Sequence, residues 1–195
     1  MIEAVRVLLK IWFFLFYRVR VSGLESFPAE GGAVLCANHT YLKDLILLGY
    51  KLRRRVKWLA KVELFKNPLI GGFLSWLGAF PIRRGKSDRG AIKKTFEFLS
   101  KEEVVGIFPE GMRVRDSSNK PAVKRGFVVF ALKAKVPIIP ASIVYGRSPF
   151  RIGQVFSRIK VIFHEPYFLD FDKQYNSEEL DVIGREIMNK IYSEI

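Results

Sequence analysis

A chain of 195 residues, 49% apolar and 14% aromatic, is long enough for one domain with a real core and too apolar to be disordered. Lysine and arginine number 33 against 19 acidic residues, so the formal net charge of +14 calls for an anionic partner: a membrane surface, nucleic acid or a phosphorylated small molecule. One cysteine, Cys36 in an apolar run, excludes a disulfide framework, and with only two histidines a metal site of these ligands is disfavoured.

Residues 1–17 carry Leu8, Leu9, Ile11, Trp12, Phe13, Phe14, Leu15 and Phe16, interrupted by Arg6 and Lys10. The uncharged stretch falls short of the roughly 20 apolar residues a spanning helix needs, and no small-residue cleavage site follows it. On a helical wheel Glu3, Arg6, Lys10 and Tyr17 share one narrow polar stripe. We read 1–17 as an amphipathic helix lying in the headgroup region, with packing onto the soluble core as the competing reading. Beyond it, strands are expected near 18–22, 32–37, 56–61, 79–83, 103–108, 138–144 and 158–164. Helices are expected near 2–16, 41–51, 63–76, 88–100, 124–134 and 177–194. Asn176-Ser177-Glu178-Glu179 supplies the last helix with an N-cap and an acidic first turn. Such alternation predicts a single α/β domain over 18–195, with a largely parallel or mixed sheet flanked by helices.

Chemistry concentrates at a few turns. In Asn38-His39-Thr40-Tyr41-Leu42-Lys43-Asp44 a histidine precedes an aspartate by five positions. Within one helix that spacing would point the two side chains about 140° apart, so the pair can bond only across a strand-turn-helix junction. There a carboxylate fixes the imidazole tautomer and makes a general base. Phe108-Pro109-Glu110-Gly111 closes the apolar run 103–108, placing Glu110 to meet a ligand hydroxyl or to orient a neighbouring base. Gly78 to Gly85 ends in the paired guanidiniums Arg83 and Arg84, and Val136-Pro137-Ile138-Ile139-Pro140 opens a further strand. The other histidine, His164, ends a strand and is read as structural.

Taken in chain order, the four blocks resemble the glycerolipid acyltransferase family, above all the 1-acylglycerol-3-phosphate (lysophosphatidic acid) acyltransferases, over about residues 20 to 165. The resemblance implies that His39 and Asp44 are the catalytic dyad and that Phe108, Pro109, Glu110 and Gly111 form the third block. It makes Arg84 the substrate-phosphate arginine; Arg83 stands where an acidic or other polar residue is common. Where the family continues Thr-Arg-Ser, this chain has Met112-Arg113-Val114 and keeps only the arginine. Lys124 and Gly126 match a lysine-glycine pair before the next helix. The implied activity is transfer of a fatty acyl group from a thioester of coenzyme A or carrier protein to lysophosphatidic acid. The product, phosphatidic acid, would feed phospholipid synthesis. No cofactor or metal is implied, and the enzyme would sit on the cytoplasmic face of the cell membrane, peripheral or monotopic. Two alternatives stay open: a sibling enzyme acting on glycerol-3-phosphate, another lysophospholipid or a lyso-aminolipid, and a non-enzymatic membrane-surface protein. A nucleic-acid partner is disfavoured because the aromatics gather in the N-terminal segment instead of alternating with basic residues.

Overall fold

The computed structural model describes residues 11, 12, 15–49, 51–83, 88–114, 122–146 and 158–195. The strands are β1 (Arg18–Ser22), β2 (Ala33–Ala37), β3 (Val56–Lys61), β4 (Ala79–Ile82), β5 (Val104–Ile107), β6 (Ile138–Tyr145) and β7 (Arg158–Phe163). Among the described residues the helices are α1 (Asp44–Gly49), α2 (Pro68–Trp76), α3 (Arg89–Ser100), α4 (Gly126–Ala134) and α5 (Ser177–Tyr192). The strands form one mixed sheet in the order β1-β7-β6-β2-β5-β3-β4, antiparallel only between β6 and β7. Central β2, apolar throughout, is buried at every position, as a strand covered on both faces must be. On one face Leu35, Ala37, Ile143 and Val161 pack with Leu45, Leu47 and Leu48 of α1 and Leu74 of α2. On the other, Val34, Cys36 and Ile138 meet α4 and α5 through Phe127, Val128, Ile187 and Ile191. Because β6 and β7 run oppositely, β1 and β7 start at the edge where β2, β5 and β6 end.

Local chemistry moves some boundaries from their expected places. The helix expected from 41 starts only at Asp44, because the Thr40 and Tyr41 amides turn back onto the Asp44 carboxylate. The helix expected over 63–76 is split into a 3-10 turn (Val62–Phe65) and α2. Asn67 accounts for the break: its Oδ1 accepts from the Leu69 and Ile70 amides at 3.0 and 3.2 Å, with Pro68 pre-set at the first helical position. α5 carries the expected cap as a full capping box, Asn176 and Glu179 each bonding the other's amide.

Most of the N-terminal helix expected over 2–16 lies outside the described residues. Ile11, Trp12, Leu15 and Phe16 are helical and exposed. Tyr17 reverses its expected orientation: instead of lining the wet stripe, it is 6% exposed and packs in the core. Burying its large ring there, beside the Lys43 ammonium, outweighs the small polar gain of exposing one hydroxyl. No described helix is long and apolar enough to cross a membrane.

Candidate active site

β2 ends at Ala37, and irregular chain through Asn38 and His39 leads to the turn that opens α1. Asn38 fixes this segment from within. Asn38 bonds the Ile143 backbone in both directions, its amide donating to the carbonyl at 2.9 Å and its Oδ1 accepting from the amide at 2.7 Å. His39 is thereby presented over the edge of the sheet, with α1 opening five residues later at Asp44. The junction achieves what a continuous helix could not: His39 Nδ1 lies 2.9 Å from Asp44 Oδ2.

Asp44 is wholly buried, and its charge is met by directed donors. Besides His39, Oδ2 accepts from the Thr40 amide at 2.6 Å and the Tyr41 amide at 2.8 Å, while Oδ1 accepts from the Tyr145 hydroxyl. Burying a carboxylate without such partners would cost several kcal/mol. Because the carboxylate can only accept from Nδ1, the neutral imidazole keeps its proton there and leaves Nε2 with a lone pair. A base of fixed tautomer results.

The third block wraps the dyad. Phe108 stacks on the His39 ring at 4.0 Å and 14°, and Trp58 stacks on Phe108 at 5.2 Å and 10°. The β3–β5 register sets Trp58 opposite Gly106, where a Cβ would stand 2.3 Å from the indole, so only glycine admits this stack. Gly111 turns at φ 67°, with the Lys124 side chain lying over it. The Lys124 amide holds Pro109 O at 3.0 Å, and the Val114 amide holds His39 O at 2.6 Å, which keeps neighbouring Arg113 at the rim.

Glu110 is 2% exposed, and both its oxygens are engaged: Oε2 accepts from the His39 amide at 2.8 Å and Oε1 from the Tyr192 hydroxyl at 2.6 Å. Of the two roles the sequence left open, this geometry is that of a brace for the base. Burial pushes its carboxyl up to about 7, against the lowering effect of the Tyr192 and His39 donors.

Arg83 stands exposed just beyond β4, its amide donating to Asp88 Oδ2 at 2.8 Å. It lies three strands from β2, roughly 14 Å across the sheet, and so apart from the dyad. Arg84 lies outside the described residues. His164 Nε2 is 2.8 Å from Ser142 Oγ, whose own proton goes to the Ile191 carbonyl, which ties β7 to α5. Two tyrosines and a lysine escape the sequence reading. Tyr145 and Tyr192 hold the two site carboxylates, and Lys43 sits among the rings of Tyr17, Tyr41 and Tyr145 at 4.2, 5.2 and 5.1 Å. Burial lowers the Lys43 ammonium and the Asp44 charge partly restores it. Period-two alternation along Ile139, Ala141 and Ile143 was the available signal for an inward Tyr145.

The acyltransferase family pattern matches residues 18–144, which span both the dyad and the loop that wraps it. The chain belongs to the acyltransferase family. Over 178 residues it is 34% identical to the 1-acyl-sn-glycerol-3-phosphate acyltransferase of Bacillus subtilis, covering 89% of this chain and 86% of that one. A chloroplastic 1-acyl-sn-glycerol-3-phosphate acyltransferase of Arabidopsis thaliana is 28% identical over 90% of this chain, which spans only 49% of that relative. The crystal structure of the 1-acyl-sn-glycerophosphate (LPA) acyltransferase of Thermotoga maritima superposes with a TM-score of 0.74 at 27% identity, covering 98% of this chain and 78% of that one. This acyltransferase therefore shares a fold as well as a sequence pattern with enzymes of that name.

Proposed function

We propose that this acyltransferase moves a fatty acyl group from a thioester donor to the free hydroxyl of lysophosphatidic acid, giving phosphatidic acid. The observation that carries the reading is the His39–Asp44 pair at 2.9 Å, which keeps the proton on Nδ1 and the lone pair on Nε2. His39 Nε2 takes the hydroxyl proton as that oxygen attacks the thioester carbonyl. Asp44 steadies the imidazolium that forms. Collapse of the tetrahedral intermediate expels the donor thiolate, which recovers the proton from His39, so ester and free thiol leave together. Transfer is direct. Cys36 is fully buried with its thiol pushed up by burial, and Ser142 is fully buried with its proton committed to Ile191 O.

Arg84 holds the acceptor phosphate, a role in which guanidinium binds bidentately, and Arg113 and Lys124 of the loop that wraps the dyad assist it; Arg83, apart from the dyad, is left out of that role. Both coenzyme A and a carrier protein can serve as the donor's thiol in this scheme. The enzyme works peripherally on the cytoplasmic face of the membrane, where its acceptor resides. An assay of purified protein in detergent, with a panel of lysolipid acceptors and both thioesters, tests the reading. Turnover of lysophosphatidic acid well above the other acceptors is expected; transfer only to acceptors lacking a phosphomonoester overturns it.

A further inference from the structure

The parallel pairing of β1 and β7 sets like charges side by side: Arg18 opposite Arg158, and Arg20 opposite Lys160. All four are exposed, while alternate residues Ile159 and Val161 are buried beneath them. Like charges directly opposite one another destabilise a strand pair. Among the described residues none of the four has an acidic partner. Instead these side chains, with Ile159, line a cleft of about 330 Å³ that holds no carboxylate. Four unpaired cations in register, retained at a cost to the sheet, are built to meet anions from outside.

We propose that this face is a docking strip for anionic lipid headgroups. Apolar residues adjoin the cations along the chain: Ile11 is 50% exposed, Trp12 42%, Leu15 57% and Phe16 39%, and Tyr17 then leads directly into Arg18. Cations flanked by exposed aromatic and aliphatic side chains match a membrane surface, where the former meet phosphates and the latter insert between them. Direction adds a second argument. Arg18 and Arg158 begin strands that run against β2, so they lie at the sheet edge from which His39 projects. Ile159 pairs with Tyr145, whose hydroxyl reaches Asp44, and Tyr17 packs on Lys43 beside Asp44. A bilayer held by the strip would therefore border the catalytic edge and deliver lipid acceptor laterally to the dyad. This inference rests on the reading of the acceptor as a membrane lipid.

The test compares the full chain with its Arg158→Glu/Lys160→Glu double variant, both of whose substitutions are on an exposed face. Each is sedimented with phosphatidylcholine vesicles and with vesicles carrying roughly one phosphatidylglycerol in four, and assayed on a soluble short-chain lysophosphatidic acid. The expected result is at least about a tenfold loss of binding to the anionic vesicles, given the attraction each basic residue contributes near such a surface. Binding to neutral vesicles and turnover of the soluble acceptor stay within about twofold of wild type. Unchanged anionic-vesicle binding overturns the strip. So does equal loss on both vesicle types with turnover of the soluble acceptor retained, which would make attachment indifferent to headgroup charge, and so does capture of an acidic protein without vesicle binding. A wild type that binds anionic vesicles but never turns over the soluble acceptor would count against the acyl-transfer reading and leave the strip standing.

Discussion

Tyr145 holds a position of leverage over the base. Its hydroxyl donates to Asp44 Oδ1, the oxygen opposite the one bonded to His39. Tyr145→Phe removes that donor and nothing else, so Asp44 keeps its place but draws the imidazolium more strongly. A hydrogen bond to a charged group contributes about 1.5–3 kcal/mol, so kcat should fall about tenfold to a hundredfold only on the acidic side of the profile, where the more firmly held imidazolium is no longer a base. The acceptor KM should be unchanged, and the acidic limb of the pH–rate profile should move to higher pH. An altered KM with an unmoved pH profile would reduce Tyr145 to a packing role. Glu110 offers a second test, through stability. Its carboxyl is raised to about 7, so between the ordinary value of 4.5 and about 7 the folded state holds the proton more tightly than the unfolded chain. Stability from this group is complete below that window and is lost as pH rises through it. Melting temperatures of wild type and Glu110→Gln, followed from pH 5 to pH 8, should therefore differ in slope, with wild type declining more steeply. Parallel curves would contradict the raised value.

At the scale of elements, the dyad is positioned by the strand-turn-helix unit β2–α1 and by the stack running from β3 through β5. Gly106 is the hinge of that stack, because Trp58 occupies the space a side chain would need. Gly106→Ala should push Trp58 off Phe108, cost about 1–3 kcal/mol by overpacking, and lower kcat through the displaced His39 ring. Denaturant titration alongside turnover checks both; a variant with wild-type stability and rate would contradict the tight approach. The β2–α1 unit was legible in the sequence, because an apolar run, a turn and a spacing of five leave one way for His39 and Asp44 to meet. Tyr145, Tyr192 and Lys43 were not. They reach the site from β6, the end of α5 and the turn before α1; alternation along β6 turns Tyr145 inward, but which groups these residues meet depends on strand order and helix packing that no local pattern encodes. Tyr17 shows the same limit from the other side: wheel position grouped it with charged residues, whereas tertiary packing turned it inward. Asn67 did carry a local signal, an N-cap followed by proline, yet the continuous apolar run around it masked the break.

Over the whole molecule, the excess of 33 basic over 19 acidic residues sets a positive field that would draw the phosphates of the proposed lipid acceptor and donor. Salt should weaken attachment to anionic vesicles without abolishing it, since the screening length is about 10 Å at 0.1 M while the exposed Trp12 and Leu15 still insert. Vesicle sedimentation across a salt series checks this, and complete release at high salt would contradict the apolar share. The central proposal is that a buried aspartate makes His39 the base for direct acyl transfer to a lysophosphatidic acid hydroxyl. Its most direct test is the initial rate of phosphatidic acid formation by folded His39→Ala, beside wild type at equal concentration. The account predicts a fall of about 10²–10⁴-fold, the contribution of a positioned general base, with the circular dichroism spectrum unchanged. A folded variant retaining more than about a tenth of the wild-type rate would contradict it.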